Sequence, residues 1–183
     1  MLKRYTINKS QQKELEINLR RMKKEEEKKK KAEIVQGRRV IVEGLPSAII
    51  CDIDGTLATR CDRDIFDNSK VEGDFVVKEV KYILNLINFE EKNKIILVSG
   101  RENVCEKETL NWLHKHGIPF DFLYMRGKDD RREDYVVKEE IYKIHILPRY
   151  NVLFALEDRK QVKKLWVKLG IFVLDVNQTD EVF

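Results

Sequence analysis

The sequence predicts an α/β fold with a doubly wound, mostly parallel sheet, and three observations support this prediction. Beyond residue 35, apolar segments of four to six residues alternate with longer stretches of helical periodicity. Polar or acidic residues follow several of the apolar segments, as they do at the ligand-binding edge of open parallel sheets. Gly117 and Gly170 each follow a helical stretch, at the position where glycine commonly ends a helix.

The elements can be assigned in chain order. Apolar runs of this length are typical of buried parallel strands, and we place the second of them, 48–53, at the centre of the sheet. The predicted strands are 39–42, 48–53, 94–98, 120–125, 151–156 and 171–176. The predicted helices are 74–89, 102–116, 134–147 and 159–169.

The first 35 residues differ in composition from the rest, which predicts two domains: a basic arm over 1–35 and an α/β domain over 36–183. Residues 1–33 carry a net charge of +6, and the remainder carries −2. Residues 10–33 contain no Gly or Pro, so the arm is expected to be helical or disordered. Such an arm either contacts nucleic-acid phosphates or only aids solubility, and both interpretations stay open.

Composition narrows the classes of function. No apolar run approaches the length of a membrane span, and the N-terminal residues lack the apolar centre of a signal peptide, so we expect a cytoplasmic protein. Three cysteines without a CxxC pair argue against a disulfide framework or a zinc site. The phosphate-binding pattern GxxxxGK[ST] is absent from the sequence, so we expect no 5′-kinase activity.

Two carboxylates follow the central strand. Residues two apart on a strand point the same way, so Asp52 and Asp54 are expected to face one site just past the strand end. A pair of acids in that position suits a divalent metal ion, or a nucleophile beside a proton donor.

Other polar clusters lie where the fold would bring them to the same edge. Ser99 and Arg101 follow strand 94–98, Asp158 follows strand 151–156, and Lys138 lies in the helix that begins near Asp134. Transfer of a phosphoryl group to a carboxylate needs this combination of groups. A Mg²⁺ ion and a lysine neutralise the phosphate, a hydroxyl donates a hydrogen bond, and a second acid protonates the leaving alkoxide.

The motifs DIDGT at 52–56, SGRE at 99–102, DYVVKEEIYK at 134–143 and LEDRKQVKKLWVKLGI at 156–171 resemble those of the haloacid dehalogenase (HAD) superfamily. Within it they are similar to the 3′-phosphatase domain of phage-type polynucleotide kinase-phosphatase, over roughly Ser47 to Val176. The resemblance implies a HAD-like Rossmannoid fold and a role in nucleic acid repair.

The resemblance also implies roles for individual residues. Asp52 would be the nucleophile that becomes an aspartyl-phosphate, and Asp54 the general acid/base. Mg²⁺ would be held by Asp52, Asp158 and the backbone carbonyl of Asp54. The remaining catalytic or substrate-binding positions that it implies are Thr56, Arg63, Ser99, Arg101, Arg126, Arg132, Asp134 and Lys138.

The chain departs from the family pattern at Glu157, where an aspartate is common. The charged loop at 60–64, where the superfamily inserts its cap, is short, which predicts a minimal cap and an open site. An open site suits a phosphate at the end of a polymer better than a small metabolite.

We therefore expect a Mg²⁺-dependent phosphomonoester hydrolase that removes terminal 3′-phosphates from DNA or RNA. The expected partners are nucleic acid ends, without a membrane, and the sequence does not indicate an oligomeric state. One alternative is a phosphatase of nucleotides or other small phosphomonoesters. An alternative of another class is a catalytically idle nucleic-acid-binding module.

Overall fold

The computed structural model describes residues 34–35, 38–39, 41–62, 68–90 and 92–176. The chain divides into two compact units, residues 1–40 and 41–183. In the first unit, β1 (Ile34–Val35) pairs in antiparallel fashion with β2 (Arg38–Arg39). The helix that we predict within residues 10–33 lies outside the described residues.

The second unit contains a five-stranded parallel sheet. The strands of this unit are β3 (Ser47–Cys51), β4 (Ala58–Thr59), β5 (Phe75–Val76), β6 (Asn93–Glu102), β7 (Phe122–Arg126), β8 (Asn151–Glu157) and β9 (Phe172–Asp175). The parallel sheet has the strand order β7-β6-β3-β8-β9, whereas β4 and β5 form a separate antiparallel pair. The prediction that strand 48–53 lies at the centre is confirmed, because β3 is the middle strand.

Helices cover both faces of this sheet. They are α1 (Lys78–Phe89), α2 (Glu106–Lys115), α3 (Asp134–Ile141) and α4 (Lys160–Lys168). Short 3₁₀ turns occupy Asn68–Gly73 and Asn103–Cys105, and a π-helical turn over Tyr142–Ile146 continues α3. Among the described residues, no helix combines the length and the apolar character needed to cross a membrane.

The alternation of side chains along β3 divides the core into two layers. Ala48 and Ile50 pack on the side covered by α3 and α4, and Ile49 and Cys51 pack on the side covered by α1 and α2. All four side chains are almost completely buried. A strand that is apolar on both faces needs helices on both sides, so this short segment accounts for the doubly wound architecture.

The predicted strand 39–42 is wrong in its second half. Val42 lies outside any strand because the side chain of Asn151 takes both of its backbone groups. The Val42 N–H donates to Asn151 Oδ1 (2.8 Å), and Asn151 Nδ2 donates to the Val42 carbonyl (2.8 Å). The same Nδ2 also donates to the carbonyl of Leu45 (2.9 Å), which fixes the segment that leads into β3.

The remaining differences concern the ends of elements. The helix predicted over 74–89 begins only at Lys78, since Phe75 and Val76 pair with β4. The helix predicted over 102–116 begins at Glu106, and that predicted over 134–147 changes to π geometry after Ile141. Strand β6 continues to Glu102 with a register shift against β7. Each change lies next to the C-terminal edge of the sheet or in a helix end.

Candidate active site

Asp52 and Asp54 lie on the tight turn that follows β3. The backbone N–H of Asp52 donates to the carbonyl of Leu156 on β8 (3.1 Å), which continues the sheet pairing by one residue. Gly55 then adopts φ +87°, a left-handed conformation that glycine adopts without strain. A Cβ at Gly55 would lie 2.2 Å from Asp158 Oδ2, so glycine is what lets the turn approach that carboxylate.

Lys138 joins two strand ends at Asp52. Its Nζ donates to Asp52 Oδ1 (2.6 Å) and to Glu157 Oε2 (3.0 Å), and all three side chains are almost completely buried. Helix α3 directs Lys138 inward because Val137, Lys138 and Ile141 form the face that it buries against the sheet. A lysine at this depth keeps its charge only when carboxylates surround it.

Burial and crowding shift the ionisation of the whole cluster. Burial raises the pKa of Asp52 to about 7, an effect that Lys138 offsets in part and Glu157 reinforces. Burial also raises the pKa of Glu157 and the pKa of Asp158. Burial opposes the charge on Lys138, but Asp52, Glu157 and Asp134 outweigh it and raise the pKa of the lysine. The site holds more carboxylates than nearby cations can balance.

Three of these acids can hold a metal ion. Asp52, Glu157 and Asp158 each offer one carboxylate oxygen, and these oxygens lie within 4.8 Å of one another. Hard oxygen donors with surplus negative charge suit Mg²⁺, so the residues fit the predicted ion. The structure brings the predicted ligands Asp52 and Asp158 together and adds Glu157, which was not predicted as a ligand. The carboxylate of Asp54 is directed to Arg101 instead.

Arg101 orients Asp54 from the protein interior. Its Nε and Nη2 donate to the two carboxylate oxygens of Asp54, each at 2.8 Å, and Nη2 also donates to Asp74 Oδ2 (2.7 Å). The Arg101 and Asp74 side chains are buried, whereas 23% of the Asp54 side chain is exposed. Asp54 is therefore the accessible member of a fixed carboxylate–guanidinium–carboxylate chain.

Asp134 gathers three cations on the opposite side of the site. Its carboxylate oxygens lie 3.3 Å from Lys138 Nζ, 3.2 Å from Arg126 Nη2 and 3.5 Å from Arg159 Nη1. It reaches them by passing close to Gly100, where a Cβ would lie 2.3 Å from Asp134 Oδ1. Asp134 thus contacts Lys138 from one turn earlier in the same helix, in addition to the contacts of Lys138 with Asp52 and Glu157.

The two predicted hydroxyl groups are both buried at the strand ends. Thr56 Oγ1 donates to Asp158 Oδ1 (3.1 Å), so this threonine supports a metal-binding acid. Ser99 Oγ accepts the backbone N–H of Arg101 (3.1 Å) and lies where β6 and β7 lose their common register. Both residues therefore lie beside the groups that were predicted to act with them.

Of the arginines that were predicted to take part in the site, only Arg101 contacts Asp52 or Asp54 among the hydrogen bonds and ion pairs of the described residues. Arg63 lies outside the described residues. Besides Asp134, Arg126 donates to the carbonyl oxygens of Gly100 (2.9 Å) and Arg132 (2.6 Å). Arg132 pairs with Asp130 (2.6 Å) and Glu140, and 49% of its side chain is exposed. Contacts of these arginines with substrate stay predictions.

Asp74 and Arg159 were not predicted as residues of this site, and Glu157 was noted only as a departure from the family pattern. Asp74 was assigned to the start of a predicted helix, and its distance along the sequence from Arg101 does not indicate that the two residues are in contact. Glu157 and Arg159 stood beside Asp158 in the motif, and their position directly after β8 was the available signal. The structure adds all three to the network that surrounds Asp52 and Asp54.

Known proteins match the region that contains this site. The family described as "Polynucleotide kinase PNKP phosphatase domain" matches the chain over residues 46–180. A protein of Autographa californica nuclear polyhedrosis virus, named as a bifunctional polynucleotide kinase/RNA ligase, is 35% identical over 135 residues, which cover 69% of this chain and 18% of that protein.

Solved structures match the same fold. A chain in the structure of the Pnkp1/Rnl/Hen1 RNA repair complex is 35% identical with a TM-score of 0.75, over 79% of this chain and 46% of that chain. A chain in a structure of the Pnkp1/Rnl/Hen1 complex is 36% identical with a TM-score of 0.73, and the match covers 76% of this chain and 49% of that chain. An uncharacterized protein from Listeria monocytogenes serotype 4b is 16% identical with a TM-score of 0.54, and the match covers 75% of this chain and 84% of that chain. This likeness supports the fold alone. The chain spans less than half the length of the viral protein and of both complex chains.

Proposed function

Because the chain belongs to the family of PNKP phosphatase domains and is therefore a HAD phosphatase, we propose that it removes terminal 3′-phosphates from DNA or RNA in a Mg²⁺-dependent reaction. One observation carries the proposal: Asp52, Lys138, Glu157 and Asp158 converge at the C-terminal edge of the central strand. The proposal gives this chain the phosphatase reaction only, because its sequence contains no GxxxxGK[ST] loop.

Asp52 is the nucleophile in this proposal. Its carboxylate attacks phosphorus, the bond from phosphorus to the 3′-oxygen breaks, and an aspartyl-phosphate forms. Lys138 holds the attacking carboxylate in place and places positive charge beside the phosphate. Mg²⁺, held by Asp52, Asp158 and the Asp54 carbonyl with Glu157 nearby, would neutralise phosphate charge when bound.

Asp54 is the proton carrier. It protonates the leaving 3′-oxygen and then takes a proton from the water that attacks the aspartyl-phosphate, which frees phosphate and Asp52. Arg101 fixes its orientation, while Asp74 shares the same guanidinium. The shared guanidinium thus connects the partly exposed carboxylate of Asp54 to the buried carboxylate of Asp74.

The names of the relatives bear on the substrate. The viral protein is named for a polynucleotide kinase and an RNA ligase, and the solved structures are named for an RNA repair complex. These names favour RNA ends as the first substrate to test. They also suggest that a kinase or a ligase works on the same ends.

The test is phosphate release from a 3′-phosphorylated RNA, a matched DNA, a 3′-mononucleotide and an aryl phosphate, with Mg²⁺ or with EDTA. We expect oligonucleotides to be hydrolysed fastest, and EDTA or Asp52→Asn to abolish turnover while the circular dichroism spectrum of the variant stays native. Equal rates on the mononucleotide would favour a small-molecule phosphatase. No turnover on any substrate would favour an idle binding module.

A further inference from the structure

Arg159 follows the two acids at the end of β8 and begins the turn into α4. Its backbone N–H donates to Glu157 Oε1 (3.2 Å), and the carboxylate of Glu157 is itself held by Lys138. The side chain of Arg159 extends to Asp134, where Nη1 lies 3.5 Å from Oδ2. It is 38% exposed, whereas the side chain of Lys138 is only 1% exposed. The main chain of Arg159 is therefore fixed, and its guanidinium lies closer to solvent than the lysine.

Arg159 and Lys138 contact the same carboxylate oxygen. Lys138 Nζ lies 3.3 Å from Asp134 Oδ2 and 2.6 Å from Asp52 Oδ1, so this oxygen connects Arg159 to the nucleophile. Burial opposes the charge on Arg159, but the carboxylates of Asp134, Asp52 and Asp158 raise its pKa. The guanidinium therefore stays charged and lies within electrostatic reach of Asp52.

Lys138 has no N–H donor to spare for a phosphate. An ammonium group carries three donors. Lys138 Nζ already contacts three carboxylates, those of Asp52 (2.6 Å), Glu157 (3.0 Å) and Asp134 (3.3 Å). The lysine can supply positive charge to a bound phosphate, but it can donate a hydrogen bond to one only by giving up a carboxylate.

Two arginines of the site are committed in the same way. Arg101 donates to both oxygens of Asp54 and to Asp74. Arg126 donates to three backbone carbonyl groups as well as to Asp134. Because a guanidinium has five N–H donors, each of these arginines has most of its donors in use. Neither can turn towards a phosphate without breaking contacts that hold the site together.

The guanidinium of Arg159 is different. Its one hydrogen bond or ion pair with the described part of the chain is the contact with Asp134, and 3.5 Å is long for such a contact. Asp134 keeps Lys138 and Arg126 as partners when Arg159 turns away. An arginine presents its donors as a planar fork that matches two phosphate oxygens. Arg159 thus has the free donors that Lys138, Arg101 and Arg126 lack.

We propose that Arg159 leaves Asp134 and donates hydrogen bonds to the phosphate group that Asp52 attacks. This inference rests on the proposed function, because it takes that group to bind beside Asp52. The ligand of Arg159 is a phosphate dianion, first as part of the ester and then as the inorganic phosphate that is released. Arg159 supplies the hydrogen bonds to this dianion, and Lys138 supplies buried charge.

The first experiment measures binding and needs no turnover. Inorganic phosphate is titrated calorimetrically into the full chain in the presence of Mg²⁺. We expect Arg159→Gln to weaken phosphate binding about 10–100-fold, since it removes charge-assisted hydrogen bonds, and Arg159→Lys to lie in between. The matched control is Lys164→Gln, which removes the same charge from an exposed position on the same helix and should bind as the wild type does.

Three results of this titration would overturn the proposal. They are a wild-type chain that does not bind phosphate, an Arg159→Gln variant that binds it equally well, and a Lys164→Gln variant that is weakened as much as Arg159→Gln. Circular dichroism of each variant checks that the fold is intact.

The second experiment compares two substrates, an aryl phosphate and a 3′-phosphorylated oligonucleotide. Both present the same phosphate group, so we expect Arg159→Gln to lower kcat/KM about 10–100-fold on each. A loss on the oligonucleotide alone would overturn the proposal, because it would place Arg159 beside a neighbouring phosphodiester. A wild-type chain that hydrolyses neither ester would refute the proposed function, and the phosphate titration would still decide whether Arg159 is a phosphate ligand.

Discussion

Asp74 is the residue that ties the general acid/base to the scaffold. Its carboxylate contacts Arg101 Nη2 (2.7 Å) and accepts the backbone N–H of Cys61 (3.3 Å), and its carbonyl accepts Trp112 Nε1 (2.8 Å). The side chain is completely buried and contacts Arg101, so it acts through Arg101 on Asp54. We regard Asp74 as a positioning residue.

Asp74→Asn keeps the shape of this side chain but removes its charge. We expect kcat to fall about 100-fold with KM changed less than about threefold, because Arg101 would lose the buried carboxylate that fixes its guanidinium and would no longer hold Asp54 in one orientation. Steady-state kinetics on a 3′-phosphorylated oligonucleotide measures kcat and KM separately. Glu72→Gln, an exposed change two residues away, should behave as wild type. A variant in which only KM rises would contradict the positioning role.

Position 100 requires glycine because the carboxylate of Asp134 lies directly beside it. Gly100→Ala would bring a methyl group 2.3 Å from Asp134 Oδ1 and push that carboxylate away from Lys138. We expect kcat/KM to fall by about 10–100-fold, since misplacement of a charged group that holds the nucleophile costs about that much. Gly127→Ala has no atom within 4 Å of its Cβ and should be neutral. Similar activity in the two variants would argue against this role.

Residues that follow predicted strands were the ones that the sequence could identify. Asp52 and Ser99 each stand directly after an apolar run, and Asp158 stands one residue further on, so a correct set of strands was sufficient to bring them together. Asp74 could not be found in this way, because its contact with Arg101 spans 27 positions and depends on the course of the β4–β5 connection. Arg126 was predicted to bind substrate, which stays a prediction, and its contacts with backbone carbonyl groups follow only from the folded loop.

At the level of elements, Asn151 links the segment before β3 to β8. Its side chain makes three hydrogen bonds with Val42 and Leu45, and it is buried. Asn151→Ala would leave these backbone groups without a partner, so we expect a loss of about 2 kcal/mol in the free energy of unfolding. Urea denaturation measures the change, with the exposed Asn88→Ala as control. A loss below about 0.5 kcal/mol would show that water replaces the amide without cost.

The centres of elements were more predictable than their ends. Apolar runs located all five strands of the parallel sheet, because burial on both faces imposes a continuous apolar pattern. The β4–β5 pair was missed, since two-residue strands carry no periodicity. The change from α to π geometry after Ile141 was missed as well, because the two residues that the π turn buries, Tyr142 and Ile146, are four apart and so also fit α-helical periodicity.

At the scale of the whole molecule, we expect the basic arm to contribute to nucleic acid binding and the phosphatase unit alone to carry out hydrolysis. Deleting residues 1–33 removes a net charge of +6, so we expect weaker binding of oligonucleotides at low salt and an unchanged rate on an aryl phosphate. Fluorescence anisotropy at several salt concentrations measures the binding. Equal affinity with and without the arm, at every salt concentration, would show that the arm does not bind nucleic acid.

Each of the two core layers contains its own fluorescent side chain. Each contains one of the two tryptophans of the chain: Trp112, which donates to the Asp74 carbonyl, and Trp166, which packs edge-on against Tyr142. Their indole emission therefore reports on separate halves of the protein. A variant that keeps only Trp112 would follow events near Arg101 through its emission, and one that keeps only Trp166 would follow the other core layer, without any attached dye.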